Sequence, residues 1–477
     1  MFSRVLAMGA LVFASGALAS PARAAPPIVV EHIDLIDFPD GEAHRFDDAS
    51  LVIADGRIVY AGPAAAAPSP AGAKRIDASG KTAIPGLTDM HVHVWDEAGL
   101  GAYLAYGVTT VRNMSGMPFH LALAERIANG ELAGPRLLTS GPILNSKGPN
   151  AQINHQVVET AEEARKAVAA QAAAGFTRLK TYSNLRRPAY EALLDEARAH
   201  DLKITGHTPE GFRAEGVPFD KPFAIGFEEI LDDGFETIEH TESILWHGLS
   251  DRLDEDAARV LARKIAASGT PVTATLLAHH NLVRVAESDG AFAKQPDAAT
   301  LNPVTQQTET EYIAFWAKQD AARHLEKDRF IGTFTRIMDE EGVTIVTGSD
   351  AGIFTNAPGV SLVDELELLV AAGFSPTQAL AASTNSVAGV LGLAGESGCL
   401  AAQCRADVVL YACDPTQDIA CTHQPFAVVA DGTWHDRAAL DAMLAKAARP
   451  DVERTIANLV EGMAAQGTPL DPAVLGN

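Results

Sequence analysis

Pro85-Gly86-Leu87-Thr88-Asp89-Met90-His91-Val92-His93 is the stretch on which the reading of this chain turns. As a β-strand it alternates faces, so His91 and His93 project to one side and Met90 and Val92 to the other. Neutral imidazole nitrogens are good ligands for zinc-like divalent ions. A metal needs two of them side by side, which a surface strand seldom does. A chance pair is the alternative, because His-x-His is a short motif. The rest of the chain decides between them.

From Pro85 onward, apolar strand patterns alternate with Ala-rich helical stretches that carry Glu and Arg, the pattern of a parallel β/α fold. The expected strands are Leu87–His93, Val108–Asn113, Arg136–Ser140, Thr177–Tyr182, Lys203–Thr208, Thr237–Glu242, Pro271–Leu276 and Thr344–Ser349. Expected helices include Ala161–Ala174, Arg187–His200, Glu255–Ser268 and Leu362–Ala372. Eight strands and this length fit an α/β fold of the (β/α)8 TIM-like barrel type. The connection from Ala278 to Val343 is longer than one crossover requires, and reads as a lid or substrate wall or as a surface helical pair.

Outside the barrel, Leu51-Val52-Ile53 and Arg57-Ile58-Val59-Tyr60 flank Asp55-Gly56, a hairpin signal. The strand pattern returns at Ala406–Tyr411 and Ala427–Val429, as if the chain came back to complete its first β unit. The expected organisation is a signal peptide over 1–24, a β-sandwich built from 25–84 and 396–435, the barrel over 85–395, and a helical tail over 436–477.

Metal-type side chains recur where the barrel strands end. His91 and His93 lie on the first strand, Lys180 on the fourth, His207 on the fifth, His240 on the sixth and Asp350 just after the eighth. Barrel enzymes build their sites at that rim, so residues far apart in sequence can converge there. One such residue alone is more often structural; six in this placement point to a metal site.

These residues resemble the amidohydrolase superfamily, whose pattern is His-x-His on strand one, Lys on strand four, His on strands five and six, and Asp after strand eight. Gly107–Arg112, Gly134-Pro135-Arg136, Ile238-Glu239-His240 and Gly348-Ser349-Asp350-Ala351-Gly352 are similar to the imidazolonepropionase-like branch that includes dipeptidases. The resemblance implies that carbon dioxide carboxylates Lys180, giving a carbamate that bridges two divalent metal ions. It implies His91, His93 and Asp350 on the more buried metal and His207 and His240 on the outer one. Imidazole and oxygen ligands suit Zn²⁺, with Mn²⁺, Co²⁺ or Fe²⁺ as alternatives. An uncarboxylated lysine in a one-metal site is the other reading of Lys180. The implied chemistry is attack on a carbonyl by metal-activated hydroxide, with Asp350 passing the proton to the leaving nitrogen.

Substrate contacts are less determined by the sequence. Tyr182 shares a strand face with Lys180 and could donate to an oxyanion or a carboxylate, or pack at the rim. His279 and His280 follow the seventh strand and read as substrate contacts or as plain loop histidines. The acidic run Glu228, Glu229, Asp232, Asp233 reads as a solvated face or a preference for cationic substrates. Relatives usually carry Asp at Asn113 and Ala or Val at Thr208. The Gly-Gly-His stretch common after their third strand is Asn145-Ser146-Lys147-Gly148-Pro149 here, which weakens any transfer of substrate preference.

The 477 residues are 47% hydrophobic and 21% charged, with ample material for a core. A net charge of −24 argues against nucleic acid and anionic membrane surfaces as partners, and the expected partner of the metal site is a small-molecule substrate. Arg4, the apolar run Val5–Ala19 and Ala22-Arg23-Ala24 form a secretory signal rather than an anchor, because the run is too short to span. The mature chain is then expected in a periplasm or outside the cell, free of the membrane. Cys399, Cys404, Cys413 and Cys421 suit two disulfides there, with Cys399–Cys404 and Cys413–Cys421 favoured over the other pairings and over a four-thiolate zinc site. A homo-oligomer is compatible with all of this. The function expected is an exported amidohydrolase acting on a dipeptide or N-acyl amino acid. Its rivals are an esterase, lactonase or phosphoesterase on the same site, and an idle binding barrel.

Overall fold

A computed structural model describes residues 26–149, 151–211 and 223–471; the signal-type segment lies outside the described residues. Each of the eight expected central strands is present. They are β1 (Leu87–Val92), β2 (Val108–Asn113), β3 (Arg136–Thr139), β4 (Arg178–Thr181), β5 (Lys203–Gly206), β6 (Phe235–Glu239), β7 (Val272–Thr273) and β8 (Ile345–Val346). All pair in parallel. β1, β2 and β3 form one sheet, and β4 to β8 continue a second whose far edge is Ile143–Asn145 and Gln156–Val157. Every residue of β1 and β2 is buried, as expected of parallel strands covered on both faces.

Backbone hydrogen bonds bring the two sheets together at both margins. Met90 N donates to Thr347 O (3.0 Å), Asp350 N to His91 O (2.8 Å) and His93 N to Ala351 O (2.6 Å), so the exit of β8 runs beside β1. Gly141 N donates to Arg178 O (2.8 Å), which ties the exit of β3 to β4. β7 and β8 are shorter than the sequence suggests. Beyond each, Thr275 (φ 49°) and Asp350 (φ 56°) adopt left-handed backbone conformations, so neither strand extends through them.

The helices Ala161–Ala174, Arg187–Ala199, Glu255–Ser268 and Val360–Ala371 stand where apolar periodicity put them. Thr160 and Glu163 form a reciprocal capping box on the first of these, and Asp254 caps the third. The long 278–343 connection is mostly helical, ending in Ala321–Glu340, whose Phe334, Ile337 and Met338 are fully buried in the main core. It is therefore part of the core and not a loose surface pair.

Both ends of the chain meet in one mixed eight-stranded sheet. Its order is Thr433–Asp436, Pro425–Ala430, Val408–Tyr411, Thr82–Pro85, Ile28–Asp37, His44–Ala54 and Arg57–Pro63, with Lys74–Asp77 also beside Ile28–Asp37. The two ends join where Val408–Tyr411 pairs antiparallel with Thr82–Pro85. Period-two alternation gives this sheet two buried faces. Val408 and Leu410 join a core shared with Val30, Leu51 and Ile53, while Val409 and Tyr411 pack into the main core. The expected Asp55-Gly56 turn has both residues at positive φ, as a tight hairpin demands, and Asp431-Gly432 repeats it. Disulfides join Cys399 to Cys404 and Cys413 to Cys421, the expected pairs. Among the described residues no helix is long and apolar enough to cross a membrane.

Candidate metal centre

The ends of β1 and β8 bring three of the expected residues into contact. His93 Nε2 lies 3.0 Å and His91 Nε2 3.3 Å from the same oxygen, Asp350 Oδ1. The ligand atoms of these three buried residues all fall within 4.8 Å of one another. Lys180 Nζ is 3.3 Å from His91 Nε2. The His240 ring is 4.5 Å from that of His91 and 4.4 Å from that of His207, measured between centroids. Tyr182 stacks on His207 at 4.0 Å.

Local backbone places these groups. Gly348 and Gly352 flank Asp350, and a Cβ on either would strike strand β1, at His91 Cβ (2.8 Å) or His93 O (2.0 Å). Only glycine allows the β8 exit to lie that close. His240 (φ 69°) and Asp350 are themselves left-handed non-glycine residues, a strain that surrounding contacts must hold. For His240 the hold is traceable. Glu365 accepts from the backbone N–H groups of Leu276 (2.9 Å) and Leu277 (2.8 Å), fixing the start of the helix Leu276–Glu287 and with it Thr275. The Thr275 hydroxyl donates to Ala274 O and so accepts from His240 Nδ1 at 2.7 Å.

Each of the other two histidines on these strand ends is also anchored through Nδ1. Ser115 Oγ lies 2.9 Å from His93 Nδ1. Glu239 Oε2 accepts from His91 Nδ1 at 2.8 Å. Glu239 is fully buried and held in turn by Arg112 Nη2 (2.7 Å), Thr205 Oγ1 (2.7 Å) and the Thr237 hydroxyl. Arg112 also binds Met90 O and Glu236, so a buried ion-pair network lies beneath the histidines. Asp89, pushed up to about 7 by burial, accepts from Ser349 N and Oγ beside Asp350.

This anchoring tests whether a cation fits. With its proton on Nδ1, His91 turns a lone pair at Nε2 toward a carboxylate oxygen, an arrangement of two acceptors that a divalent cation between them satisfies. Burial first, and then the Lys180 and His240 charges, holds His91 well below the usual histidine range; burial and His240 do the same for His207. His207 Nδ1 is buried without a hydrogen-bond partner among the described residues, a second nitrogen open to a ligand. Burial lowers Lys180 to about 8 against the opposing pull of Glu239 and Asp350, which raises its share of free amine. The donor set fits a divalent ion.

The structure does not bring every candidate to this point. His279 and His280 share Asp328 (3.0 and 2.8 Å), and His279 packs against Trp316 and His324, so their recorded partners belong to the 278–343 segment. The acidic run is a paired surface. Glu228 binds Lys264, Glu229 binds Arg187 and Asp233 accepts from Tyr190. Asn113 accepts from Val94 N and donates to Thr139, and Thr208 bonds His247 Nδ1, so both departures from the relatives serve packing around the rim. Sequence reasoning missed Glu239, Arg112, Asp89, Ser115, Thr275 and His155. For Glu239 and Arg112 the signal was a charged residue inside a segment expected to be a buried strand.

The Amidohydrolase family profile matches residues 82–436. The 5-methylthioadenosine/S-adenosylhomocysteine deaminase of Symbiobacterium thermophilum is 47% identical over 53 residues, covering 11% of this chain and 12% of that protein. The chain thus spans about an eighth of that curated relative's length. A candidate prolidase from Bifidobacterium longum superposes with a TM-score of 0.64 at 25% identity, over 89% of this chain and 99% of that one. A Xaa-Pro dipeptidase with methionine bound in its active site gives a TM-score of 0.64 at 19% identity, over 86% and 100%, a likeness of fold.

Proposed function

The chain belongs to the amidohydrolase family, and on that premise we propose that it is a metal-dependent hydrolase of amide bonds whose substrate is a dipeptide or an N-acyl amino acid. One observation carries the reading: His91, His93 and Asp350 present their ligand atoms within 4.8 Å of one another, with His91 oriented by Glu239 so that a lone pair faces the carboxylate. The resemblance to a candidate prolidase over nearly its whole length supports the substrate class.

We read the eight parallel strands and the hydrogen bonds across both sheet margins as a (β/α)8 barrel over 85–395. The terminal sheet, with its own enclosed core, is read as a β-sandwich from 25–84 and 396–435, and 436–477 as a helical tail. Two disulfides suit an oxidising compartment, a periplasm or the exterior.

His91, His93 and Asp350 would hold one divalent ion, His207 and His240 a second, with zinc preferred for this donor set. Lys180 would lie between them. Its free amine would form an N–C bond to carbon dioxide with loss of a proton, and the carbamate would offer two oxygens. Ions so held supply Lewis acidity toward a carbonyl and a water of lowered pKa. Asp350 accepts the proton of the attacking water and hands it to the leaving nitrogen as the C–N bond breaks. Its place against His91 and His93 sets that carboxylate beside the reacting atoms. The buried walls around it keep bulk water away from the exchange.

The test is amino-acid release from a panel of dipeptides and N-acyl amino acids by protein prepared with zinc and bicarbonate. Release from a defined subset is expected. Hydrolysis of esters, lactones or phosphoesters with every amide left intact would replace the reading.

A further inference from the structure

We propose that His155 is a specificity-determining residue whose Nε2–H donates to the carboxylate at the non-reacting end of the substrate, on the Tyr182 side of the site. The inference rests on the amide-hydrolase reading and assigns it a further residue.

Hydrogen bonds fix the tautomer. His155 Nδ1 accepts from the backbone N–H of Gln152 at 3.2 Å and lies 3.1 Å from Asn145 Nδ2. The Asn145 amide cannot be turned the other way, because its Oδ1 accepts from Asn184 N at 3.0 Å. Nδ1 is thus an acceptor, and the ring proton sits on Nε2. That nitrogen is buried and has no hydrogen-bond partner among the described residues. A buried donor without an acceptor is costly, so it is kept where an incoming group supplies the acceptor.

Position identifies the acceptor. The rings form a row, His240 to His207 at 4.4 Å, His207 to Tyr182 at 4.0 Å and Tyr182 to His155 at 4.6 Å. His155 ends this row, on the side away from His91 and Asp350, where the end of a small substrate remote from its scissile bond would lie. Burial keeps the ring neutral, pushing it down to about 3. It therefore donates one N–H without adding charge.

The C-terminal tail holds the loop that carries His155. Gln466 Nε2 donates to Asn154 O (3.1 Å) and Gln156 Nε2 donates to Gln466 O (3.1 Å), one contact on each side of His155. Gln466 ends the helix Val452–Ala465, which is anchored by Leu459 and Met463 against Met117 and Trp95 and by a bidentate Arg454–Asp96 pair (2.7 and 2.9 Å). A loop clamped from a separate helix keeps a donor at a fixed height.

The experiment compares wild type, His155→Phe and His155→Gln on dipeptides and on the same dipeptides as C-terminal carboxamides, with metal content and thermal unfolding checked for each. Phe removes the donor and keeps a ring; Gln carries an amide N–H near the Nε2 position. The expected result is a KM raised roughly 10- to 100-fold by Phe for free-carboxylate dipeptides, little change for carboxamides, and recovery of most of the loss by Gln. Gln466→Ala, remote from the substrate, should move KM in the same direction by less. An equal shift for both substrate forms, a fall in kcat at constant KM, or no shift would overturn the assignment while leaving amide hydrolysis standing. A metal-replete wild type that cleaves no dipeptide would overturn both.

Discussion

His91 and His93 meet one carboxylate, Asp350, and His279 and His280 meet another, Asp328, yet the two histidine pairs differ in how they meet it. At Asp328 each imidazole uses Nδ1 and each takes a different oxygen, 3.0 Å to Oδ1 and 2.8 Å to Oδ2. At Asp328 donors face acceptors, although His279 Nε2 is buried without a hydrogen-bond partner among the described residues, and the result is a tie between the helices Leu276–Glu287 and Ala321–Glu340. At Asp350 both imidazoles turn Nε2 to a single oxygen, while their Nδ1 atoms are occupied by Glu239 and Ser115. For His91 that places acceptor against acceptor. Histidine density does not make a metal centre; convergence of lone pairs does.

The comparison can be broken by exchanging the consequences of the two carboxylates. Asp350→Asn should lower kcat on the order of 10²–10⁴-fold or more, with metal largely retained, whereas Asp328→Asn should leave kcat within about twofold. Steady-state kinetics with metal analysis decides this, and equal losses in the two variants would contradict it. Glu239→Gln comes next. It removes the charged acceptor of His91 Nδ1, and should weaken metal affinity about 10- to 100-fold, measurable by competition with a chelating indicator. Arg112→Met sharpens the same point from beneath. It leaves Glu239 buried without its cation, and should cost about 3–5 kcal/mol of stability in denaturant unfolding. The smallest effect belongs to His279→Ala, expected to change kcat/KM by less than about threefold while costing about 1–2 kcal/mol through the lost Asp328 tie.

The sequence was most legible where local pattern and structure obey the same period. β1 and β2 read as strands because short runs carrying β-branched and apolar residues follow Pro85-Gly86 and Gly107, and the helix Glu255–Ser268 because Ala258, Leu261, Ala262 and Ile265 share one buried stripe. His-x-His was visible because alternation alone puts both rings on one side. Glu239 as the orienting partner of His91 was not visible, since 148 residues separate them and no spacing rule links strands of two different sheets. His155 was hidden for the same reason. Its neighbours Asn145, Tyr182 and Gln466 come from three separate parts of the chain. His279 was equally opaque as to its partner. It follows β7 by a few residues, but it lies in a helix turn whose direction carries the ring to Asp328.

The most direct measurement is the divalent-metal content of the purified chain after expression with zinc and bicarbonate, read by plasma mass spectrometry for wild type and for the His91→Ala, His93→Ala double variant. The account predicts about two ions per chain in wild type and well under one in the double variant. Fewer than about one ion in the wild type, or equal content in the two proteins, would contradict a metal centre at the ends of β1, β6 and β8.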